Sequence, residues 1–141
     1  GSDRFVYNLM SDGELGEGPT WEAAASAAHW KLGNLICMVD VNRMQADGPS
    51  PDVLNFEPLP AKWEAFGWHA QRVDGNDIGA LVKAFDAARA LEEPKPRVII
   101  CDTRMAKGVP FLEAREKSHF IRVEQHEWAQ ALEALDAGRQ A

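Results

Sequence analysis

Short apolar runs alternate with amphipathic stretches along most of this chain, and such alternation is typical of strands connected by helices. Four apolar runs have the length of buried strands, namely Phe5–Met10, Leu35–Val41, His69–Val73 and Val98–Asp102. The stretches with helical spacing are Trp21–Leu32, which Gly18-Pro19 opens, Lys62–Phe66, Ile78–Leu91 and Val123–Leu135. The pattern predicts an α/β fold with a mostly parallel sheet flanked by helices.

Turn-forming residues predict where some of these elements begin and end. Gly33-Asn34 is expected to end the first helix. Asn76 or Asp77 can cap the helix that follows the third strand. The segment 49–60 is rich in proline and is predicted to be irregular.

Composition and charge narrow the partners of this chain of 141 residues. Its length and its hydrophobic content of 45% fit one ordinary globular domain. The net charge of −7 argues against nucleic acid or an anionic membrane as the main partner. Cys37 and Cys101 lie within apolar runs, which favours buried thiols and a cytoplasmic location. The tryptophans expected to anchor the core and interfaces are Trp21, Trp30, Trp63, Trp68 and Trp128.

Two polar residues follow the first two predicted strands. Asp12 comes after the first strand, and Asn42 comes directly after the second. The ends of adjacent parallel strands lie side by side at one edge of a sheet, so these two residues are expected to be neighbours in space. Carboxylate and amide oxygens suit Mg²⁺, which commonly completes its shell with water and a ligand phosphate. The alternatives are a loop aspartate that caps the next turn and an ordinary turn asparagine.

The stretch from Ser11 to Gly48 carries a set of motifs that reads, in order, SDGE, EG, WEAA, AAH-x-KL-x-NL and VD-x-N-x-x-Q-x-DG. This set resembles the diphosphate-binding half of transketolase, a thiamine diphosphate enzyme, and the resemblance extends over nearly the whole chain. All thiamine diphosphate enzymes share the aspartate-to-asparagine motif, whereas the pieces ELxEG, WEAA and QxDG favour transketolase. Ser11 stands where the family usually has a glycine.

The resemblance implies a thiamine diphosphate-binding fold with thiamine diphosphate and Mg²⁺ as cofactors. The metal ligands it implies are the side chains of Asp12 and Asn42 and the main-chain carbonyl of Met44. The residues it implies in cofactor binding are Asp12, Gly13, Glu14, Asn42 and Lys107. Gly13 would let the backbone approach the diphosphate closely.

The same resemblance implies catalytic roles for Glu17, Glu22 and His119. Glu17 and Glu22 correspond to interface carboxylates that connect two cofactor sites by proton sharing, because two acids held together cannot both ionise easily. The alternative is a favourable placement of acids at a helix N-terminus, with Glu22 in the first turn. His119 lies beyond the stretch Lys107–Phe111, which resembles the KG-x-x-F loop before a substrate-side histidine. Phe120 stands where a glycine usually follows that histidine.

Residues 1–141 would form the diphosphate-binding domain without its N-terminal portion. The first strand of this chain would then be a central strand in the sheet of the complete domain. The glutamate that activates the cofactor belongs to a pyrimidine-binding domain or subunit, so this chain alone is expected to be inactive. The assembly, a homodimer or a heterotetramer, would transfer a two-carbon ketol unit between sugar phosphates. The alternatives are another thiamine diphosphate enzyme (deoxyxylulose-phosphate synthase or a 2-oxo-acid dehydrogenase component) and a non-catalytic interaction subunit that keeps the fold without the cofactor.

Overall fold

The computed structural model of the chain describes residues 3–115, 119 and 122–139. The strands are β1 (Val6–Ser11), β2 (Leu35–Val41), β3 (Met44–Gln45), β4 (Gly48–Pro49), β5 (His69–Asp74) and β6 (Arg97–Asp102). The helices are α1 (Gly18–His29), α2 (Ser50–Val53), α3 (Leu59–Ala65), α4 (Ile78–Ala90), α5 (Pro110–Glu113) and α6 (Gln125–Arg139). A short 3₁₀ helix at Gly13–Gly16 connects β1 to α1.

One parallel sheet organises the fold, with strands hydrogen-bonded in the order β1, β2, β6, β5. The carboxyl ends of these strands lie at the same edge, where Ser11 is opposite Asp40 and Val41 is opposite Asp102. β3 and β4 form a separate antiparallel hairpin just after β2. The predicted α/β fold with a parallel sheet is confirmed. Within the described residues, however, β1 is an edge strand rather than a central one.

Each face of the sheet has its own hydrophobic core. On one face, Ala24 of α1 and Trp63 of α3 are buried in a cluster with Val39 of β2. On the other face, Ala84 of α4 is buried against Ile99 of β6. β6 is buried from both sides, which explains its continuous apolar sequence. Among the described residues, no helix is long and apolar enough to cross a membrane.

The predicted strands agree with the observed strands to within one residue at each end. The start of α1 at Gly18 is confirmed, whereas other helix bounds differ more. α1 ends three residues earlier than predicted, α3 begins three residues earlier, and α6 ends four residues later. The segment 49–60 is not simply irregular, since it contains α2 and the start of α3. Asp77 is the cap of α4, where its side chain accepts a hydrogen bond of 3.0 Å from the Ala80 amide.

The tryptophans divide into buried and exposed residues. Trp63 and Trp68 are buried with their rings 4.8 Å apart, and Trp68 Nε1 donates to the Ala24 carbonyl of α1 over 2.9 Å. Trp30 and Trp128 are instead 72% and 57% exposed, so neither anchors the core, and an interface role for them stays a prediction. Both lie on helix surfaces that the described part of this chain does not cover.

Cys37 and Cys101 are buried free thiols, as the sequence predicts. They belong to the clusters on opposite faces of the sheet. Burial raises the pKa of each thiol to about 11. Few of these thiols are ionised near neutral pH, so they are expected to react slowly in the folded protein.

The first helix ends earlier than Gly33-Asn34, in a turn centred on Lys31. The Leu32 amide donates to the Ala27 carbonyl and the Lys31 amide donates to the Ala28 carbonyl, both over 3.0 Å. These are the two bonds of a Schellman motif, which usually places glycine at the left-handed position. Lys31 occupies that position with a φ of 52°. The sequence signal was misleading because the chain uses a lysine where glycine is usual.

Lys31→Gly is expected to raise the free energy of unfolding by about 1 kcal/mol, because it removes the steric cost of a side chain in the left-handed region. Urea unfolding at neutral pH measures the change. The matched control is Lys83→Gly in the interior of α4, where glycine should lower stability by about 1 kcal/mol. Equal effects of the two substitutions would contradict the assignment of the turn.

Candidate functional site

Asp12 lies immediately after β1 and is only 4% exposed. Its amide donates to the Asp40 carbonyl over 2.9 Å, which holds it beside the end of β2. Its Oδ2 accepts hydrogen bonds from the Arg43 amide over 3.1 Å and from Ser50 Oγ over 2.8 Å. Its Oδ1 is buried and has no hydrogen-bond partner among the described residues. A buried carboxylate oxygen without a partner is costly unless a ligand fills the position.

The pKa of Asp12 is raised by burial, which disfavours the ionised form. The hydrogen bonds from Ser50 and Arg43 oppose that shift only in part. A bound cation would remove the penalty by supplying the missing charge next to Oδ1. The electrostatics of Asp12 therefore favour a cation over an empty cavity.

The loop after β2 wraps around this carboxylate. Asn42 Oδ1 accepts a hydrogen bond of 2.9 Å from the Met44 amide, and an amide oxygen of this kind keeps a second lone pair for a ligand. Arg43 takes a φ of 63°, and its carbonyl accepts from the Ser50 amide over 2.9 Å. These bonds fix the backbone between the two expected ligands, Asn42 and Met44. The contact between the ends of β1 and β2 is the one that the sequence predicted.

The donor set suits a hard cation rather than zinc or another soft metal. In the part of the chain that the structure describes, no three His, Cys, Asp or Glu residues cluster as metal ligands would. The expected set instead has the carboxylate of Asp12, the amide oxygen of Asn42 and the carbonyl of Met44. An incomplete all-oxygen set of this kind is typical of Mg²⁺, which retains water and phosphate ligands. The residues present therefore fit the ion that the resemblance implies.

Ser11 and Glu14 explain the departure from the usual glycine. Glu14 Oε2 accepts from the Ser11 amide over 2.7 Å, and Ser11 Oγ accepts from the Glu14 amide over 3.3 Å. This reciprocal pair has the bonding pattern of a capping box and closes the turn that leads into the 3₁₀ helix. Ser11 does not need a positive φ, so its side chain causes no backbone strain. A direct contact of Glu14 with the cofactor stays a prediction, since its carboxylate also stabilises this loop.

Gly13 sits between these two residues, and packing alone does not require glycine there. An added Cβ would lie 3.7 Å from Ser11 Oγ and 3.9 Å from Gln45 Cγ, which are ordinary contacts. The expected role of Gly13, to leave room for a ligand beside Asp12, stays a prediction.

Arg43 lines two cavities at the carboxyl edge. A cavity of about 310 Å³ is lined by Asp12, Arg43, Ser50 and Glu57, among others. An open cleft of about 600 Å³ is lined by Asn42, Arg43, Asp102 and Lys107, among others. The structure thus brings Lys107, which is 65 positions from Asn42 in sequence, into the same cleft. Its side chain is exposed and can reach an anionic ligand there.

The three residues with implied catalytic roles lie on the surface of this chain. Glu17 is exposed just before α1, and Glu22 is exposed as the fifth residue of that helix. Glu22 is therefore beyond the first turn, which corrects the expected position and weakens the helix-dipole alternative for it. His119 is exposed, while 116–118 and 120–121 lie outside the described residues. The interface and substrate roles of these residues stay predictions.

An ion-pair network at the same edge has no counterpart in the sequence analysis. Arg72 Nε and Nη2 donate to Asp102 Oδ2 and Oδ1 over 2.7 and 2.8 Å. Arg72 Nη1 also donates to Glu57 Oε2 over 3.0 Å. The hydrogen bonds from Arg72 hold the pKa of Asp102 and that of Glu57 below their usual ranges. The only sequence signal for this network is that Arg72 lies two residues before the end of β5, and that position does not indicate which carboxylates it pairs with.

Arg72→Met is expected to lower the free energy of unfolding by about 1 kcal/mol at pH 7, a modest value because the carboxylates are partly exposed. The folded-state pKa values of Asp102 and Glu57 lie below the unfolded values of about 4, so the network stabilises the fold above that pH. This stabilisation is lost as the pH falls through the folded-state values. Urea unfolding at pH 7 and about pH 2.5 should show the difference between variant and wild type shrinking toward zero. A difference that persists at acid pH would show that it is not electrostatic.

A family model for the thiamine diphosphate binding domain of transketolase matches residues 1–138. The chain belongs to the transketolase family. Its fold agrees, because a transketolase crystal structure from Campylobacter jejuni covers 95% of this chain with a TM-score of 0.86 and 32% identity. The transketolase resemblance and the thiamine diphosphate-binding fold are thus confirmed.

Two transketolase-family relatives show how much of such a protein this chain represents. It is 70% identical over 138 residues to a putative uncharacterized transketolase family protein from Sinorhizobium fredii, and the match covers 98% of this chain and 50% of that protein. It is 44% identical over 119 residues to one subunit of an apulose-4-phosphate transketolase from Actinobacillus succinogenes, covering 84% and 42% of the two chains. The chain therefore spans about half the length of these relatives, and 21% of the Campylobacter transketolase.

Proposed function

We propose that this chain binds thiamine diphosphate through Mg²⁺ held by Asp12, Asn42 and the Met44 carbonyl. The observation that carries the proposal is the buried Oδ1 of Asp12, which has no hydrogen-bond partner among the described residues. The hydrogen bonds from Arg43 and Ser50 occupy the other oxygen and so fix the direction in which Oδ1 points. A cation at this position would contact the acid that burial otherwise penalises.

The remaining residues of the cleft would orient the diphosphate. Lys107 offers a cation on the same side as Asn42, and Gly13 leaves room for the ligand beside the loop. When bound, thiamine diphosphate supplies the carbanion chemistry of ketol transfer. The part of this chain is to hold the diphosphate rigidly, so that the reactive ring is presented in one orientation.

We propose the full reaction as the transfer of a two-carbon ketol unit between sugar phosphates, for which the necessary partner is a pyrimidine-binding domain or subunit. One relative is named as a single subunit of an apulose-4-phosphate transketolase, which supports a split assembly and a phosphorylated sugar as substrate. Glu17 and Glu22 would share a proton at the interface of a homodimer or heterotetramer, and His119 would lie on the substrate side.

We propose the cytoplasm as the location of this assembly, because the buried thiols suit a reducing compartment.

The test is a calorimetric titration of the natural-length protein, together with its partner domain, with thiamine diphosphate in Mg²⁺ or in EDTA. Binding that requires the metal supports the proposal, and ketol transfer between sugar phosphates in the same preparation would establish the reaction. A protein that binds no thiamine diphosphate under either condition would instead support the non-catalytic interaction subunit. Binding without ketol transfer, but with activity on pyruvate and glyceraldehyde 3-phosphate or on a 2-oxo acid, would favour the related enzyme classes.

A further inference from the structure

Arg72 connects segments that border the candidate site from three sides. Its guanidinium forms a bidentate pair with Asp102 at the end of β6, the strand that leads into the loop of Lys107. Its Nη1 and Nη2 also contact the two oxygens of Glu57, over 3.0 and 2.8 Å. Glu57 belongs to the segment before α3, which lines the cavity beside Asp12.

The third segment is the expected metal loop, residues 42–44, which Asp102 contacts through the same oxygen that accepts from Arg72 Nη2. Arg43 Nη2 lies 3.7 Å from Asp102 Oδ1. The Arg43 side chain is 71% exposed, so this pair alone contributes little. The contribution of the Arg43–Asp102 pair to holding the loop depends on Asp102 being fixed, because a free carboxylate would turn toward solvent. The bidentate pair with Arg72 holds Asp102 in one orientation.

The metal loop contains a strained residue, Arg43, and the contacts of Asp102 would help to hold it in its conformation. Arg43 is in the left-handed region, where a residue other than glycine persists only when its surroundings hold it there. Its rotation would move the Asn42 side chain and the Met44 carbonyl, which flank it. Glu57 Oε2 in turn accepts from the Leu59 amide over 2.9 Å, which fixes the start of α3. Arg72 is therefore connected to all three segments, directly to Asp102 and Glu57 and through Asp102 to Arg43.

We propose that Arg72 is a positioning residue, which sets the affinity for Mg²⁺ and the diphosphate by holding the metal loop, the end of β6 and the segment of Glu57 in one arrangement. The inference rests on the proposed function for its ligand, although the anchoring itself does not. Arginine suits this role better than lysine, because its planar fork forms the bidentate pair with Asp102 and still donates to Glu57. Arg72 acts through these partners and is not assigned a contact with the cofactor.

Hydrogen exchange of the natural-length protein without cofactor tests the anchoring. In Arg72→Met, the amides of Arg43, Met44 and Leu59 are expected to exchange faster than in the wild type. Arg89→Met is the matched control, since it removes an exposed ion pair with Asp86 on α4 and a hydrogen bond of 3.5 Å to Tyr7 Oη near the start of β1, both away from the carboxyl edge. Exchange at these three amides that is the same in Arg72→Met and in the wild type would overturn the proposal.

Titration with thiamine diphosphate and Mg²⁺, well below the unfolding temperature, tests the consequence. If the loops are ordered in about one tenth of the Arg72→Met molecules, the apparent Kd rises about tenfold. Arg72→Lys is expected to restore part of the affinity, and Arg89→Met to bind as the wild type does. Equal Kd values for Arg72→Met and the wild type would overturn the proposal. A wild-type protein that does not bind would overturn the proposed function instead, while hydrogen exchange still decides whether Arg72 holds the three segments.

Discussion

Replacement of Asp12 by asparagine is expected to remove Mg²⁺-dependent binding of thiamine diphosphate while leaving the fold intact. Asp12 is the one charged group in the expected ligand set, so the metal would lose its only anionic protein ligand. Loss of one partner of a buried charge pair costs about 2–5 kcal/mol, which corresponds to roughly 30-fold to several thousandfold in Kd. Titration of the variant and the wild type, each with its partner domain, measures the effect.

Although Asp12→Asn is expected to lose cofactor binding, it is not expected to lose stability in the metal-free protein. Burial raises the folded-state pKa of Asp12 above its unfolded value, so ionisation costs stability as the pH rises between these two values. Asparagine removes that cost near neutral pH and still offers an oxygen to the Arg43 amide and to Ser50 Oγ. Asp12→Asn should therefore unfold at a urea concentration equal to or above that of the wild type.

A control variant separates the loss of the Asp12 ligand from the loss of any carboxylate. Glu133→Gln also replaces a carboxylate by an amide, at an exposed position of α6, and it should leave both affinity and stability as they are. If Asp12→Asn bound thiamine diphosphate with Mg²⁺ within about threefold of the wild type, Asp12 would not be the ligand. If it failed to fold, its carboxylate would be structural and the raised pKa would have been misinterpreted.

The sheet and the meeting of Asp12 with the loop of Asn42 were predictable because both depend on rules of topology. Four apolar runs separated by helices leave few arrangements other than a parallel sheet, and parallel strands end at one edge. The bond from the Arg43 amide to Asp12 follows from that placement and not from any local propensity. Lys107 reaches the same cleft because β6 lies next to β2, an order that the hydrophobic pattern could not supply.

What the sequence did not predict depends on side-chain pairing across the edge or on unusual residues in turns. Arg72 meets Asp102 only because β5 and β6 are neighbours, and a strand arginine has no preferred partner in sequence. Lys31 takes a conformation in which glycine is usual, so the turn after α1 was placed too late. Ser11 departs from the family's usual glycine, and its pairing with Glu14 could not be foreseen from that departure. Each of these features requires the three-dimensional neighbours to be known.

Gly75→Ala is expected to cause the largest loss of stability of any small substitution at this edge. Gly75 follows β5, and its amide donates to the Asp102 carbonyl over 2.7 Å. An added Cβ would lie 2.6 Å from Thr103 Cγ2 and 2.8 Å from Cys101 Cβ. Neither atom can rotate away freely, because a Cβ is fixed by the backbone and Thr103 Oγ1 is bonded to Asp40. Overpacking of this kind costs about 1–3 kcal/mol or more, and we expect the upper end.

Urea unfolding of Gly75→Ala measures this loss, and Gly138→Ala in α6 is its matched control. A Cβ at Gly138 has nothing within 4 Å, so alanine should add a few tenths to about 1 kcal/mol there. The clash at Gly75 also pushes on Asp102 and Thr103, which lead into the loop of Lys107 and line the open cleft. The variant is therefore expected to bind thiamine diphosphate more weakly even at temperatures where it remains folded. A Gly75→Ala protein that kept both stability and affinity would show that the ends of β5 and β6 can separate without disturbing the site, and that this edge is less rigid than its hydrogen bonds indicate.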